Sequence, residues 1–221
     1  MIIAEQKALA EIQDMVAPYR KILLVGCGTC AAFCSAGGPK QVDQLADALL
    51  SENKEIVVEK TSIPRQCAEK SIDRLEKKME NNEAILSMAC GNGVQAVASR
   101  FPDKPVLPAL NTQFIGVEKE PGVWTENCMA CGDCILWRTG GICPVARCAK
   151  SLLNGACGGA SEGNCEVSKD RPCAWQEIYH ALKRLNMLHY LKEKPQVKDW
   201  PIHPGRVVRE DLRRMEATEG E

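Results

Sequence analysis

Short apolar runs alternate with segments of helical periodicity through the first half of the chain. The runs are KILLV (21–25), EIVVEK (55–60), AILSMA (84–89) and KPVLPAL (104–110). Each is short enough for a buried strand, and the first three are followed by amphipathic segments that contain QVDQLADALLSE, AEKSIDRLEKKMEN and VQAVASRF. Strands that alternate with helices form βαβ units. Residues 1–117 are therefore predicted to form an α/β domain with a doubly wound, mostly parallel sheet.

This predicted sheet is of the Rossmann or flavodoxin-like type, because its strands carry continuous apolar runs rather than alternating ones. Apolar residues at helical spacing predict a further helix over residues 2–17 that ends at Pro18. Residues 118–127 carry no strand pattern and are predicted to be a hinge.

Residues 118–194 are predicted to be a second domain, rich in loops and cysteine, that closes with a helix beginning at Ala174. A loop-rich segment of this length buries little apolar surface, so we expect metal ligation to order it. Residues 195–221 form a tail with Pro195, Trp200 and two more prolines. The tail either lies across a neighbouring domain or partner subunit, or is disordered at its end.

Composition narrows the class of protein. The chain has 221 residues and a formal net charge of −1, so it lacks the basic surface that binds nucleic acid or anionic membranes. No apolar run approaches the roughly 20 residues that span a bilayer. The opening MIIAEQKALAEIQ lacks the features of a secretory signal. A cytoplasmic location is expected, where clustered cysteines bind metal or do redox chemistry more often than they form disulfides.

Five of the 13 cysteines fall in the first half, next to the ends of predicted strands. They are Cys27, Cys30, Cys34, Cys67 and Cys90. Sites on open α/β sheets lie outside the carboxyl ends of the strands, so we expect these thiols to converge on one rim of the sheet. The C-x2-C-x3-C segment is predicted to surround a metal. A looser dinucleotide motif through Gly26, Gly28 and Ala31 is the alternative.

The second half holds a denser group of cysteines. These are Cys128, Cys131, Cys134, Cys143, Cys148, Cys157, Cys165 and Cys173. The first three form a C-x2-C-x2-C run, and Cys143 precedes Pro144, as in ferredoxin-type iron–sulfur sites. The match is partial, since eight residues rather than three separate Cys134 from Cys143. His180 and His189 are predicted to be surface or packing residues.

Thiolate-only sites suit iron–sulfur clusters or zinc. The pattern indicates two or three 4Fe–4S clusters. Zinc is the alternative at a set drawn from Cys143, Cys148, Cys157, Cys165 and Cys173. Three four-thiolate sites would leave one of the 13 cysteines spare, expected among Cys30, Cys34, Cys67 and Cys90. No hydrolase triad, metalloprotease motif, phosphate-binding loop or flavin motif is present, so we predict one-electron transport without a catalytic residue in this chain.

The same motifs resemble those of a known family. KILLVGCGTCAAFCSAGGPKQV, MACGNGVQ, CMACGDCILWRTGGICPVARCAKSLLNGACGG and CAWQEIY are similar to segments of the small iron–sulfur subunit of acetogen-type bacterial methylenetetrahydrofolate reductase, an enzyme of the Wood–Ljungdahl pathway of one-carbon metabolism. The part from about Glu118 onward resembles the cysteine-rich domain called methylenetetrahydrofolate reductase C-terminal.

The resemblance implies an oxidoreductase subunit that works in a complex. Its partner would be a (β/α)8 subunit whose FMN reduces 5,10-methylene- to 5-methyltetrahydrofolate. Clusters in this chain would supply the electrons. Three alternatives stay open: a zinc-stabilised scaffold without a redox role, a cluster or thiol redox subunit of a heterodisulfide-reductase-like assembly, and docking into a larger hydrogenase-type complex.

Overall fold

A computed structural model describes residues 1–194, 197–201 and 205–208. The chain divides into two units, Met1–Cys128 and Met129–Glu221. The predicted domain boundary after residue 117 lies inside a strand of the first unit. Among the described residues, no helix is long and apolar enough to cross a membrane.

The first unit contains seven strands and six α-helices. In chain order they are β1 (Ile2–Gln6), α1 (Leu9–Val16), β2 (Lys21–Cys27), α2 (Cys30–Phe33), α3 (Pro39–Glu52), β3 (Val57–Ile63), α4 (Glu69–Ile72), α5 (Glu76–Met79), β4 (Ala84–Met88), α6 (Gly91–Arg100), β5 (Val106–Pro108), β6 (Leu110–Glu120) and β7 (Val123–Cys128). A 3-10 turn, Asp73–Leu75, joins α4 to α5.

Four of these strands form a parallel sheet in the order β3-β2-β4-β5. Both faces of β2 are buried: Ile22 and Leu24 pack in one apolar cluster with residues of α1 and α3, whereas Leu23 and Val25 pack in another with residues of α4 and α6. Burial on both faces explains why the strand is a continuous apolar run. The chain is thus a mixed α/β protein with a parallel four-stranded sheet.

A second, antiparallel sheet in the order β1-β6-β7 corrects two predictions. The helix predicted over residues 2–17 is wrong at its start, because Ile2–Gln6 pairs with β6 and only Leu9–Val16 is helical. The predicted hinge at 118–127 is instead the end of β6, a turn at Gly122 and most of β7. Charged and exposed side chains concealed the strand pattern there, since pairing rather than burial defines these strands.

The second unit has little regular structure. It contains α7 (Pro144–Arg147), β8 (Asn164–Cys165), β9 (Ser168–Pro172), α8 (Ala174–Arg184) and the 3-10 turns Leu136–Arg138 and Leu188–Leu191. The predicted C-terminal helix begins at Ala174 as expected but ends at Arg184. Two residues later, Asn186 adopts a positive φ of 55°. Of the predicted tail, Pro195 and Pro204 lie outside the described residues.

Gln66 joins the central strands of the parallel sheet through a fully buried side chain. Its Nε2 donates a hydrogen bond to the Val25 carbonyl at 2.8 Å, and the Ser87 hydroxyl donates to its Oε1 at 2.6 Å. Val25 lies in β2 and Ser87 in β4. The loop that follows β3 is thereby fixed to β2 and to β4.

Replacement Gln66→Leu should lower the free energy of unfolding by about 3 kcal/mol, because it removes two buried hydrogen bonds, to the Val25 carbonyl and from the Ser87 hydroxyl. The control is Gln95→Leu, which removes an exposed amide that donates to the Gly91 carbonyl at 3.0 Å. That change should cost less than about 0.5 kcal/mol. Urea denaturation measures both, and equal losses would contradict this role for Gln66.

Candidate metal centres

The loop after β2 places two cysteines at the carboxyl edge of the parallel sheet. Cys27 ends β2 and Cys30 begins α2. Backbone hydrogen bonds fix the loop: Cys27 N donates to the Gly37 carbonyl at 2.8 Å, and Gly28 N donates to the Ile63 carbonyl at 2.9 Å. Gly37 is required here, since a Cβ would overlap the Met88 carbonyl group.

The same loop argues against a dinucleotide site. A dinucleotide motif leads from the first strand directly into a long helix whose N-terminus faces the pyrophosphate. Here the loop leads into α2, which has 4 residues, and the long α3 begins only at Pro39. The alternative through Gly26, Gly28 and Ala31 therefore lacks the helix that it needs.

Cys67 and Cys90 follow the two neighbouring strands. Cys67 comes directly after Gln66, and Cys90 caps the N-terminus of α6. Partial burial of the thiol raises the pKa of Cys67, and the thiols of Cys27, Cys90 and Cys30 raise it further, because like charges would repel a thiolate there. These four thiols therefore lie close enough to interact electrostatically.

Cys34 differs from its four neighbours in sequence. It is 6% exposed, and its Sγ lies 3.4 Å from the Ala4 carbonyl oxygen and 3.6 Å from that of Ala31, to which it donates. Cys34 packs as a small apolar residue in the cluster under β1.

The C-x2-C-x2-C run begins where β7 ends. Cys128 is the last residue of that strand, and Cys131 and Cys134 open the second unit. Ala130 and Gly132 both have positive φ, 52° and 79°, so the segment turns sharply at alternate residues. Cys134 is exposed and Cys131 half-buried.

Four later cysteines surround one small cavity of about 20 Å³ in the second unit. They come from four places in the chain: Cys148 caps the C-terminus of α7, Cys173 caps the N-terminus of α8, and Cys165 ends β8. Cys157 comes from the loop between α7 and β8. Cys143 caps the N-terminus of α7 and is not part of the cavity wall.

A charged pair lies beside these thiols. Glu166 accepts hydrogen bonds from Lys150 and from Cys157, whose Sγ is 3.3 Å from Oε1. Lys150, ahead of Cys157, lowers the pKa of Glu166, and Glu166 in turn raises the pKa of Lys150, with smaller contributions from Cys157 and Cys165. The ammonium would offset part of the negative charge of thiolates at this cavity.

Within each group, at the sheet edge and at the small cavity, the thiols lie near one another but, among the described residues, are not in metal-coordinating positions. Within 1–194, 197–201 and 205–208, no three His, Cys, Asp or Glu side chains are arranged to hold a metal ion. No disulfide bond joins any of the 13 cysteines, all of which lie within the described residues. His180 and His189 are exposed, and each ring lies against a neighbouring tyrosine.

The sequence pattern did not indicate the polar residues that lie beside these two groups of cysteines. Gln66 and Glu166 are each adjacent to a cysteine in sequence, which is a usable signal. Lys150 gives none, because its partner Glu166 is 16 residues away.

The raised pKa of Cys67 predicts slow alkylation. In chelator-treated, reduced protein at pH 7.5, iodoacetamide should modify Cys67 several-fold more slowly than Cys134, although both residues are exposed, because only the thiolate reacts and the raised pKa of Cys67 lowers its thiolate fraction. The Cys67 rate should still be rising above about pH 9. Peptide mass spectrometry after timed quenching measures both rates. A Cys67 rate that levels off below about pH 8 would contradict the repulsion between thiols.

Comparison with known protein families gives a match over the second half of the chain. The profile of a family described as methylene-tetrahydrofolate reductase C terminal matches residues 107–201, which contain β6, β7 and all the cysteines from Cys128 to Cys173. No curated protein matches the chain. Residues 107–201 are thus similar to the C-terminal domain family of methylene-tetrahydrofolate reductase.

Proposed function

We propose that this chain is an electron-transfer subunit of a methylenetetrahydrofolate reductase complex, with two 4Fe–4S clusters and one zinc ion. The observation that carries the proposal is the convergence of thiols in two groups of four, one at the strand ends of the parallel sheet and one, from four separate segments, on a small cavity. Apolar packing needs no such convergence. The family match over residues 107–201 connects it to methylenetetrahydrofolate reductase.

The proposal divides the thiols into three sets of four. The rim set is Cys27, Cys30, Cys67 and Cys90; the ferredoxin-like set is Cys128, Cys131, Cys134 and Cys143; and the cavity set is Cys148, Cys157, Cys165 and Cys173. The spare cysteine is Cys34. Membership of the ferredoxin-like set rests on its sequence pattern alone.

The size of the cavity favours zinc for the cavity set. A volume of about 20 Å³ is close to that of one water-sized sphere. Four thiolates around a single ion form the closed tetrahedral site typical of structural zinc, whereas a cube of four irons and four sulfides needs far more room. Bound metal would supply the order that the sparse secondary structure of this unit does not.

The rim set suits a cluster better. Its thiols lie at the ends of three adjacent parallel strands, and three of the four are exposed or half-buried at the edge of the sheet. Such an edge leaves space above it for a larger group. Backbone N–H groups in the loops that carry these cysteines would donate hydrogen bonds to the cluster sulfides, which would shift the reduction potential of the cluster.

The chemistry supplied by iron–sulfur clusters is one-electron transfer. The chain's own residues would supply the thiolate ligands, and burial would keep water from Cys27. Catalysis on the folate would belong to a separate subunit, for which the resemblance implies FMN on a (β/α)8 barrel. A thiol-redox role for the spare cysteine gains no support, because Cys34 is buried and its Sγ is hydrogen-bonded.

A pair of equally buried cysteines tests the rim set. Cys27 and Cys34 are both 6% exposed and lie in the same apolar cluster. Cys27→Ala should remove one cluster, which is about four iron atoms per chain, whereas Cys34→Ala should remove none. Iron and acid-labile sulfide analysis after anaerobic purification gives the counts. Equal iron in the two variants would place Cys27 outside the ligand set.

The electron-transfer role predicts a reversible colour change. Anaerobically purified protein should be brown, and dithionite should partly bleach its broad absorption near about 400 nm, which returns on reoxidation. The same protein reduced and then mixed with an FMN-bearing methylenetetrahydrofolate reductase subunit should bleach the flavin absorption. A colourless protein that binds this subunit without reducing its flavin would instead be a zinc-stabilised scaffold.

A further inference from the structure

A second, larger cavity lies in the second unit, with a volume of about 440 Å³. Ligand-binding clefts fall in the range of roughly 300–1,000 Å³, with apolar and aromatic walls and a few polar groups that fix orientation. This cavity has three aromatic walls, Trp175, Tyr179 and Tyr190. None of its lining residues is a cysteine, so a function in metal binding does not account for it.

The aromatic walls are suited to a flat ring. Trp175 is 7% exposed, and its indole N–H donates to the Leu152 carbonyl at 3.0 Å, so the orientation of the ring is fixed. Tyr190 is held by Trp137, whose ring meets it edge-on with centroids 5.2 Å apart. Immobile aromatic rings bind planar ligands at little cost in conformational entropy.

The cavity wall also offers neutral hydrogen-bonding groups. Gln176 and Tyr179 both line it, and their polar groups are an amide and a hydroxyl. An amide beside an aromatic ring can pair with the edge of a nitrogen heterocycle, which presents both donors and acceptors.

Positive charge is in excess along the wall. The charged lining residues are Arg138, Lys198 and Glu193. Arg138 is paired with Glu193 at 3.2 Å, whereas Asp133, the acidic partner of Lys198 at 3.8 Å, is not part of the lining. The side chain of Lys198 is only 3% exposed.

Lys198 has unused donor capacity. Its ammonium carries three N–H donors. Within residues 1–194, 197–201 and 205–208 it donates to the Asp133 carbonyl, forms an ion pair with the Asp133 carboxylate at 3.8 Å and lies over the Trp200 ring, 5.0 Å from its centre. Of these three contacts only the first is a hydrogen bond, so a ligand anion within hydrogen-bonding distance would use the remaining donors.

From these features we infer that the cavity binds a mononucleotide, a planar nitrogen heterocycle that carries a phosphate. The ring would lie against Trp175 and Tyr190, with its edge at Gln176, and the phosphate at Lys198. Trp175 also lines the cavity of the four cysteines, so bound ligand and that cysteine set would share one wall. This inference does not depend on which metal the chain binds.

Isothermal titration calorimetry on the purified full-length chain tests the inference with two mononucleotides, FMN and AMP. Their phosphate-free forms, riboflavin and adenosine, are titrated in parallel. At least one mononucleotide should bind with a Kd of about 1–100 μM, and its nucleoside form at least about tenfold more weakly. Which of the two binds distinguishes a flavin from a purine ligand.

Two variants locate the site. Lys198→Met should weaken the mononucleotide about tenfold and leave its phosphate-free form unchanged, whereas Gln176→Ala should weaken both forms several-fold. The matched controls are Lys40→Met and Gln44→Ala, exposed residues of the first unit, which should change neither. Circular dichroism checks that each variant is folded. Absence of binding by FMN and AMP up to about 1 mM, or binding indifferent to both cavity variants, would overturn the inference.

Discussion

The hydrogen bonds of Gln66 are the constraint on which the rim of the first unit depends. Its amide joins the loop after β3 to the main chain of β2 and to the hydroxyl of Ser87 in β4. The next residue along the chain is Cys67. A loop fixed to both neighbouring strands holds that thiol beside Cys27 and Cys90, which the parallel register places at the ends of the same strands. The strand order thus brings the three cysteines to the same edge of the sheet, and the buried Gln66 amide fixes the loop that carries Cys67.

The second unit reaches a comparable convergence by other means. Three of its cysteines lie at the ends of regular elements, where the backbone changes direction: Cys148 follows α7, Cys165 ends β8 and Cys173 precedes α8. The apolar cluster of Trp175, Ile178 and Leu182 on α8 anchors this arrangement from one side. With so small a core, four thiolates on one ion would contribute a large share of the stability.

The parallel sheet was predictable because its strands are buried on both faces and leave continuous apolar runs such as that of β2. The strands β1, β6 and β7 were not, since Ile2–Gln6 has an amphipathic pattern that fits a helix and becomes a strand only by pairing with β6. Position relative to the strand ends predicted that the thiols of the first half converge on one rim, and the structure has Cys27, Cys67 and Cys90 each following one of three adjacent parallel strands. It could not single out Cys34, because only the fold reveals that this thiol turns toward Ala4 and Ala31. Lys198 gave no signal at all, for its burial depends on Asp133, 65 residues away.

The division of twelve thiolates into two clusters and one zinc site is most directly tested by counting metals. Protein purified without oxygen should contain about eight iron atoms, about eight sulfides and about one zinc ion per chain, and its dithionite-reduced form should show low-temperature electron paramagnetic resonance signals of reduced 4Fe–4S clusters. Zinc alone, without acid-labile sulfide or a paramagnetic signal, would contradict electron transfer by this chain.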